Sequence, residues 1–472
     1  MNTIKKITSL HINPILVLVI TSTLVLLFFS SLRHSLFQSG ALDLGFFDQG
    51  IYLISQEIPP NSSIIELHIM GDHAAFILYP LSAFYRIYPD IHWLFLVQAV
   101  AISIGIIPIL KLSQHQGLSN KYGYLVVLMY LFSPIIFNAN STYDFHPDIF
   151  VVPCLLWAIL WAKENKSIPF CLTIFILLSC KSVFSLTVVA LGLWLVLFKQ
   201  RKTIGLVSIF IGILWFIFAT QIVMPMVGSG TSRFLFRYSS LGNSYSEILT
   251  NLFIKPNLLF GKVFSVDTLV YFILLFAPFI WCFRYKNKNL SCLIVTLPTI
   301  AMNILSTDPQ QRYLANHYSL PILPFLIFLA IDSVDTFTIS KKWGCKFIVF
   351  WLALSFITMS RLSLFTGDYL QTLDTWQANN EAIALLKDKK GSIITTHEIA
   401  PHVTHRQKVK IAFSNTHYDL ATFDYILLNT RHAGYQSDRN YALSLVEQSK
   451  QIPSFKLEYQ KDDVYLFAKN NL

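Results

Sequence analysis

Apolar residues do not alternate with polar ones along most of this chain. They gather into long runs, parted by short segments rich either in Lys and Arg or in Asp and His. The runs cover residues 12–31, 91–110, 122–138, 149–162, 167–180, 182–198, 203–223, 266–283, 290–305, 318–336 and 346–365. Runs of this kind suit helices crossing about 30 Å of hydrocarbon, so the pattern predicts an all-α polytopic membrane bundle of about eleven transmembrane helices. Three runs within 149–198 are short, and 167–198 also reads as one long tilted helix. Beyond residue 365 the pattern becomes more polar. Two strand-like runs, SIITT (Ser392 to Thr396) and FDYILLN (Phe423 to Asn429), and a helix-like EAIALLKDKK (Glu381 to Lys390) predict a small α/β domain. The predicted division is a transmembrane domain over 1–365, including a long loop at 32–90, and a C-terminal α/β domain over 366–472.

Composition agrees with the pattern. The 472 residues are 54% hydrophobic, 15% aromatic and 13% charged, whereas soluble domains carry about a quarter charged residues. The start of the chain is basic, but its apolar run is too long for a secretory h-region and no small-x-small site follows. It is expected to be an uncleaved first span.

A formal net charge of +10 raises nucleic acid as a partner. The basic residues are instead dispersed beside the apolar runs, with no compact basic face or recognition motif, which argues against it. Lys5/Lys6, Lys111, Lys163/Lys166, Lys199/Arg201/Lys202, Arg284/Lys286/Lys288 and Lys341/Lys342/Lys346 all fall on one side of the eleven-span arrangement. By the positive-inside rule that side is cytoplasmic, with the N-terminus on it and the C-terminal domain extracytoplasmic, in a plasma (inner) membrane. Cys154, Cys171, Cys180, Cys282, Cys292 and Cys345 lie in or beside apolar runs without CxxC spacing, as packing residues do. No Walker-type GxxxxGK[ST] is present to drive ATP chemistry.

The segments on the opposite side carry the unusual chemistry. The loop 32–90 holds Asp43 and Asp48 in ALDLGFFDQ, then His68, Asp72 and His73 in HIMGDH; YDFHPD supplies Asp144, His146 and Asp148; DPQQRYLANHY supplies Asp308, Arg312, His317 and Tyr318. Ionisable groups at a hydrocarbon boundary are costly unless they face water or each other, and they mark candidate functional sites. Acids beside Pro147 also suit helix capping, and Gly45 is expected to break the local helix and free the loop around Asp43. Lys181 interrupts FILLSCKSVFSL between two runs. It is either an interfacial lysine with its head in water or, with Arg312, positive charge for a phosphate-bearing lipid. Asp43, Asp72, His73 and Asp144 would suit a divalent cation such as magnesium, manganese or zinc, yet they match no fixed metal motif.

LDLGFFDQGIY, GDHAAFILYPLSAFYRIYP, LFLVQAVAISIGIIPIL, YDFHPDIFVVP and HYSLPILPFL, in this order, resemble segments of a bacterial membrane-protein family, domain of unknown function 2079; APHVTHR (Ala400 to Arg406) extends the likeness into the tail. That family is grouped with the GT-C superfamily of integral membrane glycosyltransferases. The resemblance implies a helical bundle whose first outward loop carries an active-site acid, with sugars on polyprenyl phosphate as donors. Asp43, or Asp48, is the matching position. Where the resemblance leads one to expect an acid after Lys181, this chain has Ser182. The expected roles follow. Asp43 acts as base, Lys181, Arg312 and His317 stabilise the departing phosphate, and Asp72, His73, Asp144, His146 and Tyr318 bind substrate. The competing expectation is a transporter or lipid flippase, for which charged groups near mid-span and paired halves are the usual signature; neither is evident.

Overall fold

The structure is a computed structural model, and it describes residues 13–228, 235–283, 290–340 and 343–470. Lys5, Lys6, Arg284, Lys286, Lys288, Lys341 and Lys342 of the basic clusters lie outside the described residues. The apolar runs are largely helical over the residues described, with breaks inside 122–138 and 346–365. Five helices are long and apolar enough to cross a membrane: Pro14–Ser35, His92–His115, Lys202–Met226, Val266–Phe283 and His317–Asp335. Two bent pairs add to them. Asn120–Leu131 and Pro134–Thr142 meet at 45°, where Pro134 cannot donate a hydrogen bond to the preceding turn. Gly344–Met359 and Leu362–Leu370 meet at 60°. Ser167–Cys180, Phe184–Phe198 and Leu290–Leu305 are shorter apolar helices.

The segment 167–198 is two helices and not one. Lys181 between them is extended, with φ −162° and ψ 135°, and the Ser182 N–H donates to the His73 carbonyl at 2.9 Å. The break is thus tied by its backbone to the loop 32–90. That loop contains a short ribbon, β1 (Asn61–Ser62) against β2 (Leu67–His68), paired Asn61 to His68. Gly45 does not break the chain there. Its φ of −62° and ψ of −39° are helical, and it joins a π-helical turn, Ala41–Gly45, to the helix Phe46–Ser55.

The tail builds a five-stranded sheet from β3 (Ile393–Thr395), β4 (Val409–Ile411), β5 (Tyr425–Asn429), β6 (Phe455–Lys461) and β7 (Val464–Lys469), in the order β4-β3-β5-β7-β6. β3 is parallel to β4 and β5, whereas β7 is antiparallel to β5 and β6. Side chains alternate across it, as a strand dictates. Ile393, Tyr425, Leu427 and Leu466 pack with Ala378 and Ala382 of helix Leu373–Ala384, and with Phe37, Ala41 and Ile64 of the loop 32–90. Ile394, Ile426, Leu428 and Phe467 pack with Leu445 and Val446 of helix Arg439–Gln451. The helix expected over 381–390 therefore lies earlier, over Leu373–Ala384, because its alanines are what the sheet face covers.

Candidate active site

Four of the polar segments flanking the helices, together with the Lys181 break, converge on one cavity of about 140 Å³. It is lined by Leu42 and Asp43, Ile65, Asp72 and His73, His146, Lys181, Arg237, and His317 and Tyr318. Asp43 projects from the π-helical turn, and its Oδ2 accepts from the Tyr143 hydroxyl at 2.9 Å. Two π-helical turns, Ala41–Gly45 and Asn138–Thr142, lie beside the site; such turns are frequent where a helix must aim a side chain.

The loop carrying Asp43 is anchored by Asp144. One oxygen of this carboxylate accepts from the Gly40 N–H at 2.9 Å, and the other meets Arg33 Nη1 at 2.8 Å. Gly40 eases this approach, because a Cβ there would crowd Asp144 Oδ2 at 3.1 Å and His397 Nε2 at 3.0 Å. Asp144 thus holds the backbone before Asp43 and does not line the cavity.

The opposite wall is a buried charge cluster. Asp148 bonds to His146 Nδ1, and Lys181 Nζ lies 3.2 and 3.3 Å from its two carboxylate oxygens. His317 Nε2 is 3.7 Å away, and its ring stacks on that of His146 at 4.0 Å with an interplanar angle of 12°. Asp148 is not the N-cap of the short helix Pro147–Phe150, a place taken by His146; it lies in the first turn, where an acid complements the helix dipole. His73 Nε2 pairs with Asp72 Oδ2 at 3.1 Å, at the cavity edge. Arg237 stands over the Tyr318 ring at 5.4 Å and meets Asp308 at 3.3 Å.

These contacts divide the carboxylates. Burial and the nearby Asp144 charge push Asp43 above the ordinary aspartate range, against the pull of His146, Tyr143 and Lys181. Burial acts in the same sense on Asp148, but Lys181, His146 and His317 outweigh it and hold that carboxyl well below the usual range. Burial, with Lys181 and His146, holds His73 well below the ordinary imidazole value, so it is neutral. The site therefore combines a carboxyl of raised proton affinity with a fixed anion clamped by a lysine.

Besides Asp144, two more expected site residues stand away from the cavity. Asp48 is fully buried away from the cavity, where it accepts from the Tyr85 and Thr404 hydroxyls and pairs with His405 Nε2 at 3.1 Å. It fastens the helix Phe46–Ser55 to APHVTHR in the tail. Arg312 points back to the end of helix Leu297–Leu305, donating to Asn303 O at 3.2 Å and Ser306 O at 3.0 Å, because those terminal carbonyls lack partners within the helix. Arg237 occupies the place on the cavity wall that Arg312 was expected to fill. Nothing in the stretch 224–265 singles out Arg237, whereas Asp148 was visible in YDFHPD but reads equally as a cap.

Asp43, Asp72, His73 and Asp144 do not form the metal-capable group. Among the described residues, His146, Asp148 and His317 bring one ligand atom each to within 4.8 Å of one another. The imidazole-rich set fits zinc or manganese better than magnesium. The Lys181 ammonium already occupies the cation position on both Asp148 oxygens, so a divalent ion would have to displace it.

The chain superposes on the crystal structure of ArnT from Cupriavidus metallidurans bound to undecaprenyl phosphate, with a TM-score of 0.56 at 12% identity over 96% of this chain and 97% of that one. The apo state of the same protein gives a TM-score of 0.54 at 10% identity with the same coverage. At these identities the likeness is one of fold. No curated protein matches the sequence. The model of the family described as Predicted membrane protein (DUF2079) matches residues 33–466, and the chain belongs to that family of membrane proteins.

Proposed function

We propose that this chain is an integral membrane glycosyltransferase that moves a sugar from a polyprenyl-phosphate lipid to an acceptor hydroxyl at the extracytoplasmic face of the plasma (inner) membrane. The observation that carries this reading is the juxtaposition, across one cavity, of Asp43 with Lys181 and Arg237. A base of raised pKa and two cations are what glycosyl transfer from a phosphate requires. The GT-C grouping implied by the sequence motifs and the fold likeness to a protein bound to undecaprenyl phosphate support the choice of donor.

In this reading the acceptor oxygen bonds to the anomeric carbon while its proton passes to the Asp43 carboxylate. The bond from that carbon to the phosphate oxygen breaks, and the phosphate leaves with the electron pair. A single displacement inverts the anomeric centre. Lys181 and Arg237 meet the negative charge that grows on the leaving phosphate, and His146 and His317 form the wall beside it. Asp72, His73 and Tyr318 orient the sugar or the acceptor. Because Lys181 already neutralises Asp148, no step is routed through a divalent ion. The transmembrane part, 1–365, supplies all of these side chains; 366–472 forms an extracytoplasmic domain that holds the loop of Asp43 from outside.

Incubation of the purified chain with a panel of polyprenyl-phosphate sugars and hydroxyl acceptors, with and without EDTA, tests the reading. Consumption of one donor, unchanged within about twofold by EDTA, is expected. Movement of a lipid-linked sugar across proteoliposomes with no bond broken would favour a flippase.

A further inference from the structure

A second cavity, of about 190 Å³, opens where the chain after the first helix meets the C-terminal sheet. Phe37 and Gln38 form one wall, and Asn379, Glu398, Asn429 and Gly434 line the other. A space of this size holds on the order of ten waters, or one solute as large as a monosaccharide. Gln38 and Asp43 lie on one segment, yet they line different cavities.

The polar groups of this wall lack one partner. Glu398 Oε2 is buried without a hydrogen-bond partner among the described residues. His432, which also lines the cavity, lies 2.8 Å from Asp374, and Arg431 meets the same carboxylate at 2.8 Å. His397, the chain neighbour of Glu398, is held down to about 4 by burial and is neutral. A buried carboxylate without a counter-charge is costly, and it either takes up a proton or recruits a cation. The remaining groups suit hydroxyls. Asn379 Oδ1 accepts from Asn429 Nδ2 at 3.2 Å, which leaves the Asn379 N–H donors. Gln38 Nε2 donates to Leu36 O at 3.3 Å and Thr372 Oγ1 at 3.1 Å, which leaves its oxygen as an acceptor.

We propose that this cavity binds a small hydroxylated primary amine, its ammonium on Glu398 and its hydroxyls on the Asn379 and Gln38 amides. Burial pushes Glu398 up to about 7, against the backbone N–H groups of Glu398 and Tyr435. An ammonium arriving there shifts the carboxyl to its charged form. The site stands independently of the transfer reaction.

The test is calorimetric titration of the full chain in detergent at pH 7.5 with ethanolamine and glucosamine, against N-acetylglucosamine and glucose. Both amines are expected to bind at least tenfold more tightly than the neutral sugars. Glu398→Gln should weaken them at least tenfold, whereas Asp43→Asn leaves their binding intact. Because Glu398 of the free protein protonates as pH falls, ethanolamine should also bind roughly tenfold more weakly to the unaltered chain at pH 5.5. That measurement decides the matter should Glu398→Gln fail to fold. Absence of amine binding, equal binding of the neutral sugars, or affinity that survives both Glu398→Gln and the drop in pH would overturn the proposal.

Discussion

The two aspartates of ALDLGFFDQ lie five residues apart and have different work. Asp43 faces a cavity with one phenol as its partner; Asp48 is enclosed by Tyr85, Thr404 and His405. Spacing alone could not separate them, because two of the three groups that enclose Asp48, Thr404 and His405, lie more than 350 positions away in the tail. Two predictions belong at this scale. If Asp43 is the base, it must be ionised, so the donor-consumption rate rises with pH through its pKa. That midpoint lies above the ordinary aspartate value of about 3.9, because burial raises it. A pH–rate profile flat across that limb would remove Asp43 from proton transfer. Asp48→Asn, by contrast, keeps one acceptor oxygen but sets an NH2 donor against the remaining buried donors, and it should cost about 1–3 kcal/mol of stability, read as a lower melting temperature, while activity per folded molecule is retained.

At the scale of elements, the apolar runs are largely helical over the described residues, but 122–138 and 346–365 are each broken within the run and 182–198 becomes helical only from Phe184. The break at Lys181 was legible as an interruption, but whether it parted two helices was not. That is decided by the Ser182 N–H reaching the His73 carbonyl, a contact between distant segments. The helix after the break, Phe184–Phe198, pairs with Lys202–Ile217 through glycines. A Cβ at Gly205 would come within 2.6 Å of Val196 Cγ2 and 2.8 Å of Gly192 O. Close backbone approach of this kind is how helices associate in lipid, where hydrophobicity does not drive them together. Gly205→Leu is therefore expected to cost about 1–3 kcal/mol by overpacking, with a lower melting temperature in detergent. Gly261→Ala, at a helical position with nothing within 4 Å, should not lower it. Equal effects of the two changes would mean that the glycine contact does not hold the pair.

For the molecule as a whole, the loop 32–90 is the connecting piece. It packs Phe37, Ala41 and Ile64 against the sheet, sends Gln49 Nε2 to Arg406 O at 3.1 Å, and presents Asp43 and His73 to the cavity. Bundle and tail were legible as separate patterns. Of the sheet only β3 and β5 were legible, because the exposed, charged residues along FKLEYQK hide the strand period. Most of the candidate site could be read from acid and histidine in loops flanking apolar runs. Arg237 could not, since its role depends on being folded over Tyr318.

The most direct measurement is single-turnover transfer from the donor that the purified chain consumes, comparing the unaltered protein with Asp43→Asn and Arg237→Met in the same detergent. Asp43→Asn should still bind the lipid donor but transfer sugar at least about a hundredfold more slowly, as loss of a general base does. Arg237→Met should slow transfer as well, through the leaving phosphate. Transfer by Asp43→Asn at the unaltered rate would contradict the assignment of this cavity as the catalytic centre.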